Sequence, residues 1–278
     1  MSSERTVVVV GGSGMLGGYV AAYLRTRGHR VFLPPTFDAA SVSEAELADM
    51  IPAGSTAAIN CIGVIKQRLA RGSGGGVSRE EMMRVNGVFP HTLASACEAK
   101  GVPLIHSSTD CVFSGTKGNY TERDRPDATD LYGTSKARGE PAAACVVRTS
   151  IIGSERKQKL SLLEWVKTRR DGDCDGFTNH RWNGVTCLQL ATLFAGLIEE
   201  DAYWRGVRHY FSPRDVTKCE LIQLISDAYG LGVRVRAVQA PETVDRTLRS
   251  VYPAPVVPDI AEQLREQAAF DKQQSLYF

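Results

Sequence analysis

Thr6-Val7-Val8-Val9-Val10-Gly11-Gly12-Ser13-Gly14-Met15-Leu16-Gly17 decides the architecture. The β-branched run from Thr6 to Val10 has the character of a strand buried on both faces, as in the middle of a parallel sheet. Glycines 11, 14 and 17 follow it with the spacing Gly-x-x-Gly-x-x-Gly. The first permits a sharp turn out of the strand. The second lets backbone amides approach a pyrophosphate, and the third lets the next helix pack closely on the sheet. That helix, over residues 15–27 with Gly28 as its stop, offers free N–H groups and a favourable dipole to an anion. A glycine triplet alone is weak evidence, and a tight turn that binds nothing is the plain alternative. Its place between a strand and a helix makes Gly11, Ser13, Gly14, Met15, Leu16 and Gly17 the predicted dinucleotide-binding residues. No Gly-Lys-Ser/Thr follows, which argues against a Walker-type ATP loop.

The same rhythm continues. A second strand over residues 30–33 stops at Pro34-Pro35. Helices are predicted at 43–50 and 79–100, and strands at 57–61, 104–107 and 145–150. Strands alternating with helices imply a Rossmann-like, doubly wound parallel sheet of the α/β class. Residues 66–78 are too glycine-rich for regular structure and read either as a mobile loop at a strand end or as a tolerated insertion. The rhythm changes after residue 150, with helices expected at 187–199 and 218–229. The division predicted is a dinucleotide-binding domain at 1–153 and a smaller C-terminal substrate-binding lobe at 154–278. Segments near 185–212 are expected to pack back on the first domain.

The chain has 278 residues, 33 basic against 31 acidic, with 43% hydrophobic and 23% charged side chains. That is the composition of an ordinary globular protein. A net charge of +2 provides no basic footprint, so nucleic acid is not an expected partner. Apolar runs fall far below the roughly 20 residues that cross a bilayer, so no membrane association is expected. The strand-like run begins so early that no signal peptide is expected. The seven cysteines (61, 97, 111, 145, 174, 187, 219) are odd in number and include no Cys-x-x-Cys pair. Reduced thiols, a cytoplasmic location and no metal site are the expectations.

Cofactor choice turns on the end of the second strand, Phe32-Leu33-Pro34-Pro35. An acid there would select NAD through the ribose 2′-hydroxyl. There is none, and Arg30 lies at the wrong end of the strand. NAD(H) or NADP(H) is expected, with NADPH favoured and Asp38 near the adenine.

Tyr132-Gly133-Thr134-Ser135-Lys136 sets a phenol and an ammonium on one face of a helix. The lysine would favour the ionised phenol and lower a pKa of about 10. Such a phenol can exchange a proton with a carbonyl oxygen while hydride moves at the adjacent carbon. Alone the pair reads as a surface pair; downstream of a dinucleotide loop it reads as catalytic. Ser107-Ser108-Thr109-Asp110-Cys111 follows a strand, where open α/β sheets place ligand chemistry. Asn60-Cys61-Ile62-Gly63 ends another, and its small residues, with Ile62, would pass close to the cofactor.

Together, Gly11-x-x-Gly14-x-x-Gly17, Ser108-Thr-Asp-Cys-Val-Phe-Ser-Gly-Thr-Lys-Gly-Asn-Tyr120-Thr-Glu122, Leu131-Tyr-Gly-Thr-Ser-Lys136, Gly139-Glu140 and Arg148-Thr-Ser150 resemble the dTDP-4-dehydrorhamnose reductase family of extended short-chain dehydrogenase/reductases. The likeness is specific over about residues 6–153 and looser beyond. The combination of Ile59-Asn-Cys-Ile-Gly-Val-Ile-Lys-Gln67, Cys111, Arg148-Thr-Ser-Ile-Ile-Gly153 and Gly176-Phe-Thr-Asn179 is similar to a branch acting on UDP-linked 2-acetamido-2,6-dideoxy-hexos-4-uloses. The resemblance implies reduction of the C4 ketone of a UDP- or dTDP-linked 4-keto-6-deoxy sugar, in a homodimer. Tyr132 would then protonate the C4 alkoxide, Lys136 would hold the nicotinamide ribose, and Thr109 would bond the 4-keto oxygen. Asn86 matches a family asparagine that could position substrate or relay a proton, or could simply bond a backbone carbonyl.

Departures from the pattern matter. Rhamnose-precursor reductases carry tyrosine at the position of Cys111. GDP-fucose synthase has an acid/base cysteine there, which raises an epimerase-reductase role for Cys111, whose thiol pKa is ordinarily about 8.5. That enzyme's second acid/base, a histidine, is replaced here by Glu155 or Ser154. Asp110 without a following glutamate argues against a 4,6-dehydratase. In the C-terminal lobe Arg246, in Asp245-Arg246-Thr247-Leu248, resembles a diphosphate contact. Phe177, Asn179 and Trp182 could meet the base or sugar, or serve packing. The alternative function is a non-catalytic dinucleotide-binding subunit, since the regulatory β subunit of methionine adenosyltransferase resembles the same family.

Overall fold

The valine run forms strand β1 (Thr6–Val10), whose side chains alternate between two apolar layers. Val7 and Val9 enter one layer and Val8 and Val10 the other, none more than 2% exposed. Burial on both faces places β1 inside a parallel sheet. The computed structural model describes residues 4–69, 76–157, 159–253 and 255–274. In it β1 belongs to a six-stranded sheet, parallel throughout. β2 (Arg30–Phe32) pairs on one side of β1. On the other side follow β3 (Ala57–Asn60), β4 (Leu104–Thr109), β5 (Cys145–Thr149) and β10 (Gly206–His209). The strand order reverses at β1, which opens a crevice at the carboxyl ends of β1 and β3.

Helices α1 (Met15–Thr26) and α7 (Cys187–Glu199) cover one face, with Tyr19, Leu24, Leu190 and Phe194 all fully buried. Helices α2 (Glu44–Asp49) and α4 (Phe89–Ala99) cover the other through Leu47, Phe89 and Leu93. The remaining helix on this side, α5 (Leu131–Arg138), carries the tyrosine–lysine pair.

The helix expected over 79–100 is interrupted. α3 (Arg79–Met83) runs into a π-helical turn, Arg84–Val88, before α4 begins. Pro90 has no N–H to give the carbonyl of Asn86, so the ordinary ladder is lost there. The wider turn lets the buried Asn86 amide bond both backbone groups of Val64, at 2.8 Å each.

The second lobe has its own core around Leu163, Val166, Leu221, Ile225, Ile260 and Leu264. Helices α6 (Leu162–Lys167), α8 (Lys218–Tyr229) and α9 (Ile260–Gln274) pack there. They enclose short strands: β6 (Ile151–Ile152) pairs with β9 (Val185–Thr186), and β7 (Asp173–Phe177) with β12 (Arg234–Val238). β8 (His180–Trp182) lies between β11 (Val216–Thr217) and β13 (Val244–Asp245). Although α7 and β10 follow the start of this lobe in sequence, they complete the first lobe's core and sheet. α9 joins the two. Its wholly buried Asp271 accepts from Tyr19 of α1 at 2.5 Å, Ser154 at 2.8 Å and Tyr229 of α8 at 3.0 Å. Among the described residues no helix is long and apolar enough to cross a membrane.

Candidate active site

α1 begins without a side-chain cap, since Gly14 stands at its N-cap. Ser43, Ser78, Asp130, Ser161, Thr186 and Thr217 cap α2, α3, α5, α6, α7 and α8 with side-chain oxygens. An uncapped first turn leaves its N–H groups for a ligand. Gly17 keeps that turn tight against the strand: a Cβ there would lie 2.2 Å from the Gly11 carbonyl oxygen. Ser13, Gly14, Met15 and Leu16 line a cleft of about 590 Å³, together with Cys61, Ile62 and Gly63 at the end of β3. Gly11 and Gly17 shape the turn from behind, and Asn60 bends the neighbouring loop by accepting from the Ile62 N–H at 3.0 Å.

The other side of the same cleft is built from the end of β4 and from α5. Thr109, Asp110, Cys111, Tyr132 and Lys136 all line it. The Thr109 hydroxyl accepts from the Cys111 N–H at 3.1 Å and donates to Asp110 at 3.0 Å, closing a 3₁₀ turn. α5 can approach this turn because position 133 is glycine: a Cβ would lie 2.2 Å from the Cys111 carbonyl oxygen. That approach sets Tyr132 beside Thr109 and Cys111.

Burial dominates the electrostatics. It pushes the Tyr132 phenol above its ordinary range, with Cys111 adding and Thr109 opposing. Burial outweighs the lowering of the phenol expected from Lys136, whose ammonium donates to the Ser107 carbonyl at 2.9 Å. Burial lowers Lys136 to about 8, and Glu140 and Cys61 oppose it. Burial also pushes the Cys111 thiol up to about 12, with Asp110 adding, and pushes Cys61 up to about 12. Asp110 is likewise raised by burial, held back by Arg246 and the Thr109 hydroxyl. Behind the cleft, Ser108 Oγ donates to Glu140 Oε1 at 2.5 Å, and Arg148 grips both Glu140 oxygens at 2.8 and 2.6 Å. Both ends of this ion pair are only 6% exposed.

Four sequence-predicted residues fall elsewhere. Asn86 does not line the cleft; its amide is committed to Val64 and, at 3.2 Å, to Ser135. Asp38 bonds the Ala40 N–H and Ser41 hydroxyl, holding the turn before α2. Asn179 ties down Ala240 and Glu242 through their backbones. Arg246 donates from Nε and Nη2 to the carbonyls of Phe113 and Ser114 at 2.8 and 3.0 Å, and its charge acts on Asp110 and Cys111 at the cleft. Trp182 is buried in the second lobe's core, while Phe177 remains 38% exposed. Glu155 does line the cleft, and Ser154 belongs to the Asp271 cluster.

Of the glycine-rich segment, residues 70–75 lie outside the described residues. Its arms meet in a bridge between Leu69 and Val77, and Lys66, Gln67 and Arg68 line the cleft. Among the described residues no cluster of three or more His, Cys, Asp or Glu side chains could hold a metal ion.

Known proteins share this chain's sequence pattern and its fold. The sequence pattern of the RmlD substrate binding domain matches residues 5–254. A probable low-salt glycan biosynthesis reductase of Haloferax volcanii is 30% identical over 245 residues, spanning 80% of this chain and 79% of that protein. A methionine adenosyltransferase 2 subunit beta of Danio rerio is 32% identical over 166 residues, 55% of this chain and 50% of its own length. Among solved structures, the dTDP-4-dehydrorhamnose reductase of Bacillus anthracis in complex with NADP superposes with a TM-score of 0.78. That match covers 96% of this chain and 99% of the other at 18% identity, which shows the shared fold. With the domain pattern running through both lobes, the chain belongs to the RmlD substrate binding domain family.

Proposed function

We propose that this protein is an NAD(P)H-dependent reductase of the C4 ketone of a 4-keto-6-deoxy nucleotide sugar, UDP- or dTDP-linked. The carrying observation is the convergence of Thr109, Tyr132 and Lys136 on one cleft, opposite the uncapped start of α1 and the Gly11–Gly17 turn. Family membership supports the reading, and so do the names of the Haloferax and Bacillus proteins, both reductases. The cradle suits a nicotinamide dinucleotide: backbone amides at the first turn of α1 for the pyrophosphate, and small residues at 61 and 63 beside it. The absence of an acid after β2 favours NADPH.

When bound, the reduced nicotinamide supplies the hydride. Thr109 can hold the ketone oxygen by turning its one hydroxyl proton away from Asp110. Tyr132 donates its proton to that oxygen as it gains negative charge. The phenol is protonated at neutral pH, as the step requires, and burial by itself opposes the loss of that proton. Lys136, anchored on Ser107, supplies positive charge on the same helix face, where a transient phenolate is stabilised.

The test is loss of the reduced cofactor's near-ultraviolet absorbance with freshly generated UDP-4-keto-6-deoxy-HexNAc and its dTDP-hexose counterpart. Oxidation with at least one is expected. No oxidation with either, alongside NADPH binding, would favour the second reading, a non-catalytic subunit, which the Danio rerio match supports.

Epimerisation next to the ketone would need a base, and Cys111 and Glu155 both line the cleft. A thiol held up to about 12 by burial is a poor base at neutral pH, so simple reduction is the favoured course. Turnover in deuterated water is expected to leave the ring carbons beside C4 unlabelled. Deuterium at either carbon would establish an epimerase-reductase instead.

A further inference from the structure

After β6 the chain runs along the catalytic cleft, which Glu155, Arg156 and Lys157 line together with Ser13, Gly14, Met15 and Leu16 at the start of α1. Residues 153–157 form neither helix nor strand, so their backbone has no ladder to fix it. Side chains hold it instead. Ser161, at the cap of α6, donates to the Gly153 carbonyl at 3.1 Å, and Glu164 of α6 accepts from the Glu155 N–H at 3.2 Å. Between them the Ser154 N–H donates to the Tyr19 hydroxyl of α1 at 3.2 Å. The Ser154 hydroxyl donates to Asp271 of α9 at 2.8 Å and accepts from the Lys167 ammonium at 3.0 Å. The fit demands glycine at 153, where a Cβ would lie 2.7 Å from Cys187 Sγ and 3.0 Å from the Tyr19 ring.

Asp271 is where these bonds meet. Its Oδ1 accepts from Tyr19, on the helix whose first turn forms the dinucleotide cradle, and its Oδ2 accepts from Ser154 and Tyr229. Burial pushes this carboxyl up; the hydroxyls of Tyr19, Ser154 and Tyr229 oppose that, and so does the Lys167 charge. Three O–H donors converging on one group suit an ionised carboxylate, which only accepts. An apolar contact at this place would tolerate sliding between the lobes, whereas a fully bonded polar network selects one geometry.

We propose that Asp271 is a positioning residue for the catalytic cleft, setting through Tyr19 and Ser154 how the wall at Glu155 stands relative to the start of α1. Asp271 is fully buried and does not line the cleft, so it acts only through those partners. The kinetic side of the inference rests on the reductase reading of the same site. Reaction between two bound partners depends steeply on their placement, and an error of about 1 Å costs roughly 100-fold.

The test is amide hydrogen exchange of the full chain, beside steady-state kinetics with the 4-keto sugar and titration with NADPH. In Asp271→Asn, exchange at Ser154 and Glu155 is expected to quicken by about 10- to 100-fold, the worth of one charge-assisted hydrogen bond, while β1 stays protected. A fall in kcat of about 10- to 100-fold should accompany it. NADPH affinity should be unchanged, because backbone amides at the first turn of α1 meet the pyrophosphate. Ser154→Ala should give the same pattern, with no further loss when the two changes are combined, as expected of residues acting as one unit. Should Asp271→Asn fail to fold, Ser154→Ala and Tyr19→Phe each remove a single hydroxyl and carry the same expectations. Unchanged exchange at Ser154 and Glu155, or full kcat in a variant with a lowered Tm, would overturn the inference. Quickened exchange in a chain that oxidises no cofactor would uphold the hold on the wall while removing the reductase reading.

Discussion

Tyr132→Phe is expected to lower kcat by about 100- to 10,000-fold, the usual contribution of a positioned general acid, and to leave NADPH affinity unchanged. The ring stays, and so does the contact that matters for placement, the close approach of Gly133 to the Cys111 carbonyl. Only the hydroxyl is removed. Thr109 can still polarise the ketone by turning its proton from Asp110, 3.0 Å away, but an aliphatic hydroxyl is too weak an acid to replace the phenol as proton donor. Cys111 has a proton to give and lines the same cleft. Steady-state kinetics with the reactive 4-keto sugar, beside direct titration of the cofactor, separate the two effects. A kcat within tenfold of the natural enzyme would transfer the donor role to Cys111, and Cys111→Ala would then carry the large loss.

Glu140→Gln should act on stability and on the pH profile together. The Arg148–Glu140 pair is dry at both ends, so removing one charge leaves a buried guanidinium uncompensated. Breaking such a pair costs about 3–5 kcal/mol, and a lowered Tm in thermal unfolding is the readout. The second effect runs through Lys136, whose pKa burial lowers to about 8 and Glu140 holds up. A depressed lysine is charged below that value and neutral above it. Activity that needs the ammonium is therefore full below about pH 8 and falls as pH rises through it. Without the Glu140 charge the fall begins at lower pH. Arg148→Met distinguishes the effects: it also breaks the pair and lowers Tm, yet keeps the carboxylate that supports Lys136. An alkaline limb in Glu140→Gln no lower than in Arg148→Met would show that Glu140 acts on structure alone.

Local signals were legible where the chain meets its own backbone. The valine run needs partners on both faces and finds them. Ser43 and Thr217, each with glutamate three residues on, form complete capping boxes, so both helix starts could be read in advance. Tyr132 and Lys136 share a helix face because of spacing alone. What escaped depends on distant partners. The π turn at Asn86 exists because the Val64 backbone waits opposite it. α9 went unread because Gln263, Gln267 and Asp271 are fully buried, so its inward face is partly polar and its apolar period broken. Those side chains cap Thr186 and Leu188 or gather hydroxyls, needs that no local pattern reveals. Arg246 reads as a phosphate fork in the sequence, and only the fold shows that two of its five N–H groups go to carbonyls. The tyrosine's acidity depends on burial, which the spacing of the pair cannot show.

The return of α7 and β10 to the first lobe has a consequence for how the protein is made. A nascent chain that has just released β5 presents that strand as a bare edge, with its outer backbone groups unpaired and the part of the sheet that α7 covers still exposed. Its partner emerges from the ribosome only after a long stretch of the second lobe has been synthesised. Exposed strand edges and apolar faces are where aggregation begins, and such long-range pairing is slow. The first lobe therefore cannot finish folding as an independent early unit. A chain truncated between the lobes should collect in inclusion bodies, and recovery of the whole chain should depend on translation rate and on chaperones that shield the edge of β5 until β10 arrives.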